Sequence, residues 1–215
     1  MATKPNAVDA KQESGALGGK TIAFVATDGV EQSELLEPRK IFDAQGAKTI
    51  LISLKSGSIQ GFQHQDKGET IPVDLTIDAA KADDFDALVL PGGVANPDAL
   101  RVNAKVVAFV KAFAAAKKPI AAICHGPWTL IEAAVVAGQT MTSWPSLKTD
   151  LTNAGAKWVD EEVVVSNNLV TSRKPDDIPA FAKKMTELIT AKNKPESSSE
   201  REARIGDEYS GVRLA

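Results

Sequence analysis

The chain offers little of what most metal, redox and nucleic-acid chemistry requires. Its 215 residues contain one cysteine, Cys124, two histidines, His64 and His125, and one tyrosine. A single cysteine makes an intramolecular disulfide impossible and rules out a cysteine-rich zinc site. Neither sign of charge dominates, since 25 Lys and Arg against 28 Asp and Glu leave a net −3. With no basic excess, neither nucleic acid nor a membrane surface is an expected partner. Long apolar runs are also missing. An uncharged stretch in the apolar middle, Pro119 to Ile131, is too short to span a bilayer and is broken at Gly126-Pro127. Met1 to Lys20 lacks the apolar run of a signal peptide. These absences point to a soluble protein of a reducing, cytoplasmic setting, with no metal and no cofactor expected.

What is present is an ordinary globular composition in one stretch, 20–191, flanked by a polar leader, 1–19, read as disordered, and a polar tail, 192–215. Within that stretch, short apolar runs alternate with longer helical patterns. Strands are expected at 21–26, 49–54, 86–90 and 119–123, with further β pieces near 157–159, 163–165 and 169–171. Helices are expected at about 31–45, 104–116, from the turn at 126–127 to near Gly138, and 175–191. Residues 55–77 read as a hairpin excursion. Strands apolar on both faces imply burial on both sides. Their alternation with helices implies a doubly wound α/β sandwich around a mostly parallel sheet.

In such sheets, sites form where the carboxyl ends of strands meet helix N-termini. Three features converge there. Ile123-Cys124-His125-Gly126-Pro127 places a thiol between a strand and a helix, the geometry of a nucleophile elbow. A thiol at a helix start is expected to ionise more easily, and amides there can hold an oxyanion. Pro91-Gly92-Gly93 follows another strand, and its amides can complete the oxyanion site; a plain turn is the alternative. Glu31, in Asp28-Gly29-Val30-Glu31, is either a carboxyl beside the thiol or the second half of a capping box begun by Asp28. His64 reads as an exposed hairpin histidine. Trp144 reads as a pocket wall or a packing residue, and Arg173 as an anion partner or a surface ion pair.

The run Ala122-Ile123-Cys124-His125-Gly126-Pro127 resembles the signature of the intracellular protease I (PfpI-like) and protein deglycase family, in the class I glutamine amidotransferase-like superfamily. Asp86 to Gly93, Thr142-Ser143-Trp144-Pro145, Asn153 to Asp160 and Thr171-Ser172-Arg173 are similar to its other segments. The resemblance spans about residues 20–191. It implies a flavodoxin-like fold with Cys124 as nucleophile, His125 beside it and Glu31 as the carboxylate contacting the thiol. It also implies an acidic residue from a neighbouring subunit that orients the histidine, best matched by Asp98, and hence a homo-oligomer. Gly92, Gly93 and His125 would supply oxyanion amides. The implied activity is that of a cysteine-dependent, stress-protective enzyme on small carbonyl compounds, glycated groups or peptides, either deglycase/glyoxalase-like or peptidase-like. A redox-sensing or chaperone-like protein using the same cysteine is the alternative.

Overall fold

The computed structural model describes residues 15–191. The tail, and the leader up to residue 14, lie outside the described residues. Residues 15–19 correct the leader reading. They form a turn whose Leu17 is fully buried and whose backbone N–H donates to the Gln45 carbonyl at 2.9 Å. One apolar side chain in the core fixes this segment against its entropy.

The central sheet has seven strands: β1 (Thr21–Val25), β3 (Lys48–Ser53), β6 (Leu75–Thr76), β7 (Ala87–Leu90), β8 (Ile120–Ile123), β11 (Val163–Ser166) and β12 (Leu169–Ser172). Their order is β11-β12-β8-β7-β1-β3-β6, and only the β11–β12 pair is antiparallel. β7 and β8 are buried at every residue, and β1 at all but its first, as strands covered on both faces must be. Alternate residues feed two cores. Ile22 and Phe24 pack with Phe42, Phe181 and Met185 on one side; Ala23 and Val25 pack with Leu88, Phe109 and Phe113 on the other. The helices α1 (Gln32–Ala44) and α6 (Ile178–Ala191) cover the first face, and α3 (Ala104–Ala115) and α4 (Pro127–Glu132) the second. The fold is therefore the doubly wound α/β sandwich with a mostly parallel sheet.

Two smaller sheets accompany it. One, β2 (Val30–Glu31), β4 (Ser58–Gln63) and β5 (Asp66–Pro72), is the hairpin excursion; the other pairs β9 (Thr140–Met141) with β10 (Lys157–Trp158). Short helices α2 (Ala95–Arg101) and α5 (Lys148–Asn153) complete the described chain.

Two helical expectations are corrected. The helix after the elbow ends at Glu132, not near Gly138. Ala134 takes a left-handed φ of 57°, Ala134 N–H donates to Ile131 O, and Val135 N–H to Leu130 O. This is a Schellman closure built on alanine where glycine usually signals it. Secondly, the Asp28–Glu31 capping box does not form. Asp28 instead accepts from Gln60 N–H and pairs with Lys55. Parallel pairing of Val30 and Glu31 with Gly61 and Phe62 keeps those residues extended, so α1 starts at Gln32 with Glu31 as its N-cap.

Candidate active site

The carboxyl ends of β1, β7 and β8 bring three loops together: 26–34, 91–96 and 124–127. Cys124 follows β8 with φ 60°, a left-handed conformation that costs a side-chain-bearing residue about 1 kcal/mol or more. The elbow expectation is met in this geometry. Gly126 sits so close to the neighbouring backbone that a Cβ there would stand 2.4 Å from the Leu90 carbonyl oxygen and 3.0 Å from that of Ile123.

The carboxyl that meets the thiol is Glu34, not Glu31. Because α1 starts three residues later than a cap at Asp28 would place it, Glu34 falls in the first turn and points inward, fully buried. Its Oε2 accepts from the Gly92 N–H at 2.8 Å, and the carboxyl stands in hydrogen-bonding contact with Cys124. Its Oε1 is buried with no hydrogen-bond partner among the described residues. A neutral carboxyl tolerates that setting far better than a carboxylate. Burial accordingly raises Glu34 to about 8, with the Glu31 charge adding to it and the Gly92 amide opposing it. Glu31 sits at the rim of the same cavity. Its Oε2 accepts from His64 N–H at 2.9 Å and its Oε1 from Ser33 Oγ at 3.1 Å.

Burial pushes the Cys124 thiol well above its ordinary range, and the Glu34 charge pushes in the same direction. The expected ionisation by the helix end is therefore overridden: α4 has six residues, and Cys124 is only 7% exposed. The N–H groups of Gly93 and His125 act the other way, since both donate toward the sulfur. Thiol and carboxyl thus form one proton-sharing pair. The two amides favour the thiolate, whereas the Glu34 charge and its hydrogen bond from the thiol favour S–H, so the two groups titrate as one coupled pair.

The Gly93 and His125 amides, expected to hold an oxyanion, donate toward the sulfur. The Gly92 amide does not, because it is committed to Glu34. Gly92 is needed for closeness instead. A Cβ there would lie 2.6 Å from Glu34 Oε2 and 2.7 Å from Cys124 Cβ. Asn96, fully buried, fixes this loop by donating to the Pro91 and Gly92 carbonyls and accepting from Thr27 N–H.

His125 Nδ1 lies 3.1 Å from the Cys124 sulfur, and its Nε2 lies 3.3 Å from Ser146 Oγ. Trp144 stacks on the ring at 6.0 Å and Trp128 meets it edge-on at 5.2 Å. Burial lowers the His125 pKa, which favours the neutral ring. Asp98 is exposed on α2, and within the chain the hydroxyl of Ser146 takes the position beside His125. Arg173 pairs with Asp160 and Asp177, the surface ion-pair outcome. The thiol opens on a cavity of about 140 Å³ lined by Glu31, Glu34, His64, Cys124, His125 and Trp144 among others.

The sequence reading missed Glu34, Asn96 and Ser146. Only Glu34 carried a signal: it shares the face of α1 with the buried Leu35 and Pro38, where an unpaired carboxyl is costly unless it serves a purpose.

Fold and site together define a doubly wound α/β protein with a thiol, a buried carboxyl and an imidazole at its strand ends. The DJ-1/PfpI family model matches residues 20–188, and the chain belongs to that family. It is 45% identical over 173 residues to General stress protein 18 of Bacillus subtilis, covering 80% of this chain and 98% of the relative. It is 42% identical over 175 residues to Protein/nucleic acid deglycase 2 of Escherichia coli, covering 80% and 99%. The solved structure of Drosophila melanogaster DJ-1beta matches with a TM-score of 0.73 at 28% identity, covering 80% of this chain and 90% of that one. No helix among the described residues is long and apolar enough to cross a membrane.

Proposed function

We propose that the protein is a cysteine-dependent, stress-protective enzyme acting on small carbonyl compounds and the adducts they form on amines and thiols. The observation that carries this reading is the buried Glu34–Cys124 pair with the Gly93 and His125 amides aimed at the sulfur. Such a pair adds a thiol across a carbonyl without needing a strong external base. The sulfur bonds to the carbonyl carbon, the π pair moves to oxygen, and the proton shared with Glu34 passes to that oxygen. With methylglyoxal, the resulting hemithioacetal becomes a lactoyl thioester when a proton moves from its first carbon to its second. Water then releases lactate and restores the thiol. A cavity of about 140 Å³ suits a substrate of a few carbons better than a folded peptide segment.

The test is a comparison of substrates. Lactate release from methylglyoxal, and recovery of free amine from a methylglyoxal-treated lysine peptide, are expected at rates well above those in buffer. Unmodified peptide is expected to remain intact. Peptide cleavage without carbonyl turnover would replace this reading by the peptidase one. The neighbour-subunit role of Asp98 belongs to the same proposal. Its exposed carboxylate is free to serve a second copy, and full activity in a monomer would remove that part.

A further inference from the structure

Resting on a thioester stage of that reaction, we infer that His64 is a catalytic residue: the general base that brings water to the acylated Cys124. The residue occupies a costly position. β4 and β5 pair from Gln63 to Asp66, leaving His64-Gln65 as a two-residue turn, and His64 has φ 58°. Asparagine, aspartate or glycine is the usual residue at this place in a tight hairpin. Strain of this kind is retained where surrounding contacts enforce it and often marks a working site.

The contacts that enforce it are specific. The Glu31 carboxylate accepts the His64 N–H at 2.9 Å, although Glu31 itself is almost fully buried. The residues Val30 and Glu31 also pair with β4 through Gly61 and Phe62. The hairpin tip is thus fastened to the start of the helix that carries Glu34. His64 thereby lines the cavity that holds Cys124, at its solvent end, while thiol and Glu34 form its buried end.

The other imidazole at the cavity is engaged. Both His125 nitrogens have partners, Cys124 and Ser146. Glu34 is bound to Gly92 and the thiol. The His64 ring makes no hydrogen bond to the described residues, and the residue is exposed while it lines the cavity. In the hydrolytic step, a neutral His64 ring nitrogen takes a proton from water as the water oxygen bonds to the thioester carbon. The tetrahedral species then breaks its C–S bond, and the acid leaves and loses its proton to solvent. The imidazolium proton passes back to the sulfur–Glu34 pair and restores the starting state. Glu31 acts through His64 as a positioning residue.

Acetylation of Cys124 by p-nitrophenyl acetate tests this without methylglyoxal. The burst of p-nitrophenolate reads acylation, and mass spectrometry of the intact protein reads loss of the acetyl group. His64→Gln is expected to leave the burst unchanged and to slow deacetylation at least 10-fold. It is also expected to flatten the pH dependence of deacetylation. Glu31→Ala is expected to slow deacetylation as well, and Glu31→Gln, which can still accept the His64 N–H, to restore it. Deacetylation at the wild-type rate in a folded His64→Gln variant would overturn the inference. Wild-type protein that deacetylates in a His64-dependent way but ignores methylglyoxal would refute the substrate reading and leave the inference standing.

Discussion

Cys124→Ala is expected to lower carbonyl turnover by about 10³-fold or more, to the level of buffer, with the fold intact. The magnitude follows from removing the only nucleophile, since what remains of such sites is binding and oxyanion stabilisation. No second thiol exists in the chain to substitute for it. The fold should survive because alanine preserves the Cβ and fills most of the space at a residue already 93% covered. The left-handed φ is as costly for alanine as for cysteine, so that strain is unchanged. Lactate formation from methylglyoxal is the check for activity, and far-ultraviolet circular dichroism is the check for fold. Turnover retained in the variant would place the chemistry elsewhere.

Glu34→Gln is expected to do two opposite things. Activity falls by about 10²-fold or more, because an amide cannot exchange the proton that the thiol and the developing alkoxide need. Stability at neutral and higher pH rises. A carboxyl at about 8 in the folded protein keeps its proton where the unfolded chain, at 4.5, has lost it. Folding therefore takes up a proton between those values, and wild-type stability falls as pH climbs from about 4.5 to about 8. At pH 7 that loss is on the order of 3 kcal/mol. Glutamine does not titrate, and its side-chain oxygen can still accept the Gly92 N–H. Thermal unfolding should then show Glu34→Gln melting about 5–10 °C above wild type at pH 8, with the gap closing toward pH 5. A constant difference across that range would mean that Glu34 is ionised in the folded protein.

The sheet was readable because its signal is redundant. Ile22 to Val25, Ala87 to Leu90 and Ile120 to Ile123 are buried on both faces, and runs this short between turn residues suit a buried strand better than a helix. The elbow was readable for a related reason. A thiol between a strand and Gly126-Pro127 has few other places to go. Assignment of the carboxyl failed by one helical turn. That register depends on Val30 and Glu31 pairing with a hairpin 31 residues away, a contact that local capping preferences do not encode. The short helix α2 escaped notice because Asn96-Pro97 reads as a turn, whereas proline in a first helical turn lacks only an N–H that would have been unbonded anyway. Ionisation of the thiol was misread for a different reason. Sequence shows a helix start beside Cys124 but not the depth of its burial, and burial is the larger effect here.

His64 shows how position can change the meaning of a residue. Its exposure on a polar hairpin was expected and is observed, yet it lines the same cavity as the thiol. Glu31 changes in the same way, from thiol partner to the anchor of that hairpin.

The most direct measurement is the alkylation rate of Cys124 by iodoacetamide across pH 5 to 10, in wild type and in Glu34→Gln. If thiol and carboxyl share a proton, the wild-type rate rises through a step near pH 8 set by the pair, and that step is displaced when residue 34 can no longer ionise. Two superimposed curves, or a sulfur that the reagent does not reach in the folded protein, would contradict the account.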